Sequence, residues 1–312
     1  MSKPTTTTRR EFVTGAVGVA AAAALGGSVA QRALAQGAAM PQRRIPGTNE
    51  MLPVIGLGSS KVVQAIAEKG TEPVAQVIRT LVANGGKLID TWPRNADNDK
   101  GFGSVVSAPE FAGKLFVTSK IDQVGRDAGR AQFKATQEAY RRQTLDLVQI
   151  FSLTDLDVHW PTLKDLKASG AARYIGVTVA EAGLYDKLEA FLTREKPDFV
   201  QMNYSITERG TEERLLPLAA DRGLAVLVNR PFMNGTYFSK LEGKPLPDWA
   251  ASFQCTSWAQ FSLKYILANQ AVTCVLTETT DPKHMAENAL TSLGPVPDAA
   301  TRAKMRSFID AV

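Results

Sequence analysis

The chain has 312 residues, of which 44% are hydrophobic and 21% charged, a globular composition with enough apolar material for one large core or two smaller ones. Its formal charge is +5, but Lys3, Arg9, Arg10 and Arg32 against Glu11 place +3 of that in residues 1–36, leaving +2 on the remainder. A disordered chain is excluded by the composition, and so weak a balance leaves no basic footprint for nucleic acid.

The first element is a leader. A twin arginine in Thr8-Arg9-Arg10-Glu11-Phe12-Val13 precedes an uncharged Ala/Gly stretch, and Ala33-Leu34-Ala35 forms a small-x-small cleavage site. This pattern reads as a twin-arginine signal peptide over residues 1–35, removed after Ala35, with residues 36–312 as the mature domain. The Ala/Gly run is too short and too weakly apolar for a stable membrane span. The export machinery is therefore an expected partner, and the periplasm the expected location.

Beyond the leader, RRIPGTNEMLPVIGLG (43–58) reads as a small hairpin with its turn at PGTNE, placed to cover the bottom of a barrel. Eight Val/Ile/Leu-rich runs then come in order: PVIGLGSS (53–60), KLIDTW (87–92), LFVTSK (115–120), LVQIFSL (147–153), YIGVTV (174–179), FVQMNYS (199–205), LAVLVNR (224–230) and VTCVLTE (272–278). Between them lie segments of helical period, among them 73–86, 130–143, 181–196, 212–223 and 256–270, several closed by glycine. Continuous rather than alternating hydrophobicity marks strands buried on both faces, as in a parallel sheet. Eight such units favour an α/β fold of the closed (β/α)8 TIM barrel type with an N-terminal β-hairpin. An open doubly wound sheet is the alternative, but GLGSSKVV lacks the third glycine of a dinucleotide turn.

In a barrel, chemistry belongs at the C-terminal strand ends. Those ends carry Asp90, Thr91 and Trp92, then Ser119 and Lys120, Phe151 and Ser152, Thr178, Asn203 and Tyr204, Asn229 and Arg230, and finally Thr277 and Glu278. Asp90 and Lys120, on neighbouring strands, form a carboxylate–amine pair that is either catalytic or a self-satisfied buried ion pair. The two cysteines, Cys255 and Cys274, leave a disulfide open, although Cys274 in AVTCVLT also reads as a buried free thiol. With two histidines, His159 and His284, and no ligand-like spacing, no metal site is expected.

The opening RRIPGTNEMLPVIGLG, the LIDT strand, FVTSK, DLVQI, IGVT, DFVQMNYS, GLAVLVNRPF, SWAQFSLKYILANQAVTCVL and the closing PKHMAEN, in this order and spacing, resemble the aldo-keto reductases from about Arg43 onward. The resemblance implies an NAD(P)H-dependent oxidoreductase acting on a small carbonyl compound through an aspartate, a tyrosine, a lysine and a histidine. Asp90 and Lys120 hold two of those positions as catalytic candidates. Asn95 stands at the tyrosine position and Phe151 at the histidine position, and neither can supply an acidic proton. On the cofactor side the resemblance assigns Gln201 to the nicotinamide carboxamide, Arg230 to the pyrophosphate, Glu287 and Asn288 to the adenine, and His284 to the place often held by an arginine facing the 2′-phosphate. Thr178-Val179 replaces a Ser-Asn pair, and Asn229 replaces a stacking tyrosine. Glu278 and Asp281 near the expected 2′-phosphate either favour NAD over NADP, because like charges repel, or belong to a solvated loop of a domain that binds no dinucleotide. The second reading is a pseudoenzyme: a non-catalytic periplasmic barrel binding a ligand in a pocket formed by Trp92, Asn95, Phe151 and Tyr204. The loops 153–160 and 231–249 would set specificity.

Overall fold

The computed structural model describes residues 39–91 and 96–312. The expected signal peptide, residues 1–35, and Trp92 and Asn95 with the two residues between them, lie outside the described residues. A short antiparallel pair comes first, β1 (Gln42–Arg44) against β2 (Met51–Pro53), in the register Arg43↔Leu52. Eight parallel strands then close on themselves: β3 (Ile55–Gly58), β4 (Leu88–Asp90), β5 (Phe116–Ile121), β6 (Leu145–Phe151), β7 (Ala172–Thr178), β8 (Phe199–Asn203), β9 (Ala225–Asn229) and β10 (Cys274–Glu278). Each pairs with its sequence neighbour, and β10 pairs with β3 to complete the barrel. The (β/α)8 architecture and the hairpin are those expected from the sequence.

Two apolar layers hold this arrangement. Inside the barrel, Leu88, Phe116, Leu147, Tyr174, Phe199 and Cys274 fill the N-terminal half, and Ile45 and Leu52 of the hairpin pack onto them as a plug. Outside, strand faces pack against helices such as Glu72–Ala83, Arg126–Tyr140 and Trp258–Leu267, where the burial is larger and continuous. Closing one end with apolar side chains leaves polar strand-end residues at the other, the arrangement a site needs.

The helices differ from expectation in two places. Ala96–Val106 forms a helix despite Gly101 and Gly103, and Leu156–Ala168 forms one despite Pro161. Gly103 is required by packing: a Cβ there would come within 1.8 Å of the Ala139 carbonyl oxygen on the crossing helix. The segment 153–160, expected as a loop, is thus partly the first turn of a helix. Among the described residues no helix is long and apolar enough to cross a membrane. Both cysteines are buried free thiols, so no disulfide joins them.

Candidate functional site

The base of the site is an ion pair between two adjacent strands. Asp90 ends β4 and Lys120 lies near the end of β5, which alternation turns toward the barrel interior. Lys120 Nζ donates to both Asp90 carboxylate oxygens at 2.7 Å and to the Thr91 carbonyl at 3.2 Å. Asp90 also accepts from the Thr118 hydroxyl and, at 3.1 Å, from Gln201 Nε2. Lys120 is 5% exposed and Asp90 8%. Burial this deep is tolerable only because each charge is met by a counter-charge and by further hydrogen bonds.

Above the pair opens a cavity of about 680 Å³. Its floor is Asp90, Lys120, Thr178 and Gln201, and Phe151 forms one wall. The loop after β9 supplies another wall through Arg230, Phe232 and Phe238, the two rings packing with centroids 4.9 Å apart. The exit of β3 brings Ser60, Lys61 and Gln64, with Glu278 of β10 beside them. Among the described lining residues three cations, Lys61, Lys120 and Arg230, face two carboxylates, so the cavity favours an anionic ligand. The backbone is strained in the segments that leave β6 and β9: Ser152, Leu153 and Asp155 after β6, and Arg230, Met233 and Asn234 after β9, all adopt left-handed conformations, and of these Arg230 and Asn234 line the cavity.

Of the residues assigned to the cofactor by sequence, Thr178, Gln201 and Arg230 meet around this cavity. Gln201 has its nitrogen on Asp90, while its oxygen finds no partner among the described residues, as does the Asn229 side-chain oxygen. Arg230 donates to the Ala180 carbonyl at 3.2 Å. His284, Glu287 and Asn288 stand on the helix Pro282–Leu290 after β10, outside the cavity lining. His284 is exposed, Asn288 is buried, and Glu287 accepts from the Ser257 hydroxyl. The two carboxylates of the β10 exit have protein partners as well. Glu278 accepts from the Lys61 backbone nitrogen at 2.9 Å and lies 3.8 Å from Lys61 Nζ, and Asp281 caps the following helix through Lys283 N at 2.8 Å.

Tyr204 is not a wall of the cavity, contrary to the pocket drawn from sequence. It is fully buried, its hydroxyl held between Glu212 and Arg302, and burial pushes that hydroxyl far above its ordinary range. The reason is local: β8 ends at Asn203, and the next side chain turns outward to pack on Tyr265. Lys61, Gln64 and Phe238 were missed by sequence reasoning. The rule of C-terminal strand exits, applied to the first barrel strand as well as the later ones, finds Lys61.

The residues present fit a nicotinamide dinucleotide. Unpartnered amide oxygens on Gln201 and Asn229 match the N–H groups of a carboxamide, and Lys61 and Arg230 match phosphate oxygens. Among the described residues no cluster of His, Cys, Asp or Glu is suited to a metal.

Comparison with known proteins agrees with this geometry. The Aldo/keto reductase family matches residues 54–298. The NADH-specific methylglyoxal reductase of Escherichia coli (strain K12) is 27% identical over 152 residues, which are 40% of this chain and 45% of that protein, so the chain spans about half the length of this relative. An aldo-keto reductase from Klebsiella pneumoniae in complex with NADP and acetate superposes with a TM-score of 0.71 at 20% identity, covering 85% of this chain and 94% of that one. The holo form of one from Bacillus halodurans gives 0.68 at 18%, covering 86% and 96%. At such identities the structural likeness is one of fold.

Proposed function

Because the chain belongs to the aldo/keto reductase family, we propose that it reduces a small aldehyde or ketone with a nicotinamide cofactor, with Asp90 and Lys120 at the reacting carbonyl. The observation that carries this reading is the doubly hydrogen-bonded Asp90–Lys120 pair on the floor of a cavity that also holds Gln201. When bound, the dinucleotide supplies the hydride. The protein supplies an N–H acceptor at Gln201, cations at Lys61 and Arg230, and a buried ammonium where charge develops on the carbonyl oxygen. Phe151, Phe232 and Phe238 restrict water and favour a compact, partly apolar substrate. The relative's name points to a small 2-oxoaldehyde as the first compound to try.

We assign NADH as the preferred cofactor. Support comes from Glu278, whose carboxylate stands at the cavity rim where a 2′-phosphate would add negative charge. The name of the Escherichia coli relative points the same way, although the Klebsiella pneumoniae neighbour was solved with NADP. Titration calorimetry on the mature protein tests both statements. NADH should bind about tenfold more tightly than NADPH, a difference of about 1.4 kcal/mol. Saturable heat with neither dinucleotide would overturn the assignment.

A second reading is favoured by Asn95 and Phe151, residues that cannot supply an acidic proton at the positions of the family's tyrosine and histidine. In it the barrel binds a ligand without transforming it. Turnover by the variant Asn95→Tyr with Phe151→His, coupled with none by the parent, would establish it. In either case the leader motif supports export of the folded protein to the periplasm. Replacing Arg9 and Arg10 by lysine should retain the protein in the cytoplasmic fraction, and unchanged export would remove the twin-arginine assignment.

A further inference from the structure

Resting on the reductase reading, we propose that the proton for the reduced carbonyl comes from Lys120 itself, which acts as the general acid and not as the helper of a tyrosine. Side chains that release a proton readily between pH 5 and 10 are few, and here they can be followed one by one. The chain has six tyrosines, two histidines and two cysteines, every one of them among the described residues. None is among the described residues that line the cavity.

Their places explain why. Tyr174 lies at the opposite end of the barrel, bonded to Glu50 at 2.9 Å. Tyr204 and Tyr265 share Glu212, and Tyr237 donates to the Trp258 carbonyl at 3.0 Å. Tyr140 is fully buried against Phe102, its hydroxyl beside Thr91 and Asp99 but behind the cavity lining and pushed far above its ordinary range by burial. Tyr185, on the helix Tyr185–Arg194, turns its hydroxyl to Glu208, also outside the lining. His159 is buried on the Gln123 carbonyl at 2.6 Å, and His284 is exposed on the helix after β10. Cys274 lies in the plugged half of the barrel and Cys255 contacts the Ser257 carbonyl. The four residues between Thr91 and Ala96 are Trp, Pro, Arg and Asn, none of which yields a proton near neutral pH.

Two ammonium groups are left in the described lining. Lys61 is at the rim, its side chain 56% exposed and paired to Glu278. Lys120 is on the floor, its side chain 5% exposed, beside Gln201 and Thr178. As classes of acid, a phenol and an alkylammonium are of similar ordinary strength, about 10 and about 10.4. Of its bonds to Asp90 and Thr91, the one to the Thr91 carbonyl is the longest, at 3.2 Å, and it is this N–H that a carbonyl oxygen would take over. Asp90 keeps the remaining two in place, so the donor is aimed before the substrate arrives.

With reduced nicotinamide bound, the carbonyl carbon would gain hydride. Its oxygen gains the proton as an Nζ–H bond of Lys120 breaks. The products are the alcohol, the oxidised nicotinamide and a neutral Lys120 amine, which regains a proton from solvent through the cavity mouth.

The test has a binding arm and a turnover arm. In the first, the Lys120 ammonium is followed by 15N NMR, identified by its loss in Lys120→Arg, while acetone is added in the presence of NAD. A saturable shift of this resonance is expected, and none would overturn the proposal. In the second, Lys120→Arg keeps the charge facing Asp90 but has no proton to give, so turnover of methylglyoxal should fall by roughly 100- to 10,000-fold while NADH affinity is retained. Adding Asn95→Tyr to Lys120→Met should restore part of that loss, a rescue that a purely structural lysine would not allow. Full turnover in Lys120→Arg or Lys120→Met with NADH still bound overturns the role of Lys120 and leaves the reductase reading standing. Failure of the parent to bind NADH overturns both.

Discussion

At the scale of single residues, the site rests on Asp90, which accepts from Lys120, Thr118 and Gln201 within one buried carboxylate. Asp90→Asn would leave the Lys120 ammonium facing an amide in a dry setting, and removing one partner of such a pair typically costs about 3–5 kcal/mol. Urea unfolding of the variant should show a loss of that order; an unchanged midpoint would mean that the pair is solvated. The thiols offer a simpler check. Burial pushes Cys255 up to about 11 and Cys274 well above its ordinary range, so both should resist iodoacetamide at pH 8 until the protein is unfolded. Asp90 and Lys120 were legible in the sequence because both sit at strand exits, a position fixed by local pattern. Glu278 was legible as a charge but its engagement was not, because its partner Lys61 lies 217 residues away along the chain.

At the scale of elements, the hairpin plug is held by charged side chains as well as by Ile45 and Leu52. Arg43 donates to the carbonyls of Leu267, Asn269 and Val272, tying β1 to the segment that leads into β10. Burial pushes the Glu50 carboxyl up, yet bonds from Tyr174 and Arg173 and the charge of Lys87 outweigh it and hold the group below its ordinary value. A depressed carboxylate contributes stability above its unfolded pKa, about 4.3, and loses it as the pH falls through the lower folded value. Glu50→Gln should therefore be less stable than the parent at pH 7, with the gap closing on acidification below that window, as read from urea midpoints. The crossing of Ala96–Val106 with Arg126–Tyr140 gives a second prediction. Gly103→Ala drives a methyl into the Ala139 carbonyl and should destabilise by at least 1–3 kcal/mol, roughly the cost of overpacking. Strands were easy to read because burial on both faces makes them continuously apolar. That helix was not, since its sequence ADNDKGFG has two glycines and little periodicity, and tertiary contact rather than propensity decides its form.

At the scale of the whole molecule, eight strands carry the chemistry to one end while the hairpin closes the other. The fold was legible because eight apolar runs at barrel spacing leave few alternatives. The contents of the cavity were less so, since they depend on which strand-end side chains turn inward, and Tyr204 faces away. The loops after β6 and β9 fold partly into helical turns, so their course is set by geometry that local sequence does not encode. Under the proposal made above, a barrel without the family's tyrosine reduces carbonyl compounds with Lys120 as the proton source. Steady-state oxidation of NADH by the protein with methylglyoxal, parent beside Lys120→Arg, puts this to the test. Turnover by the parent and its near loss in the variant, with NADH binding intact, is the expected outcome. Equal rates in the two proteins, or none in the parent despite bound NADH, would refute the role of Lys120.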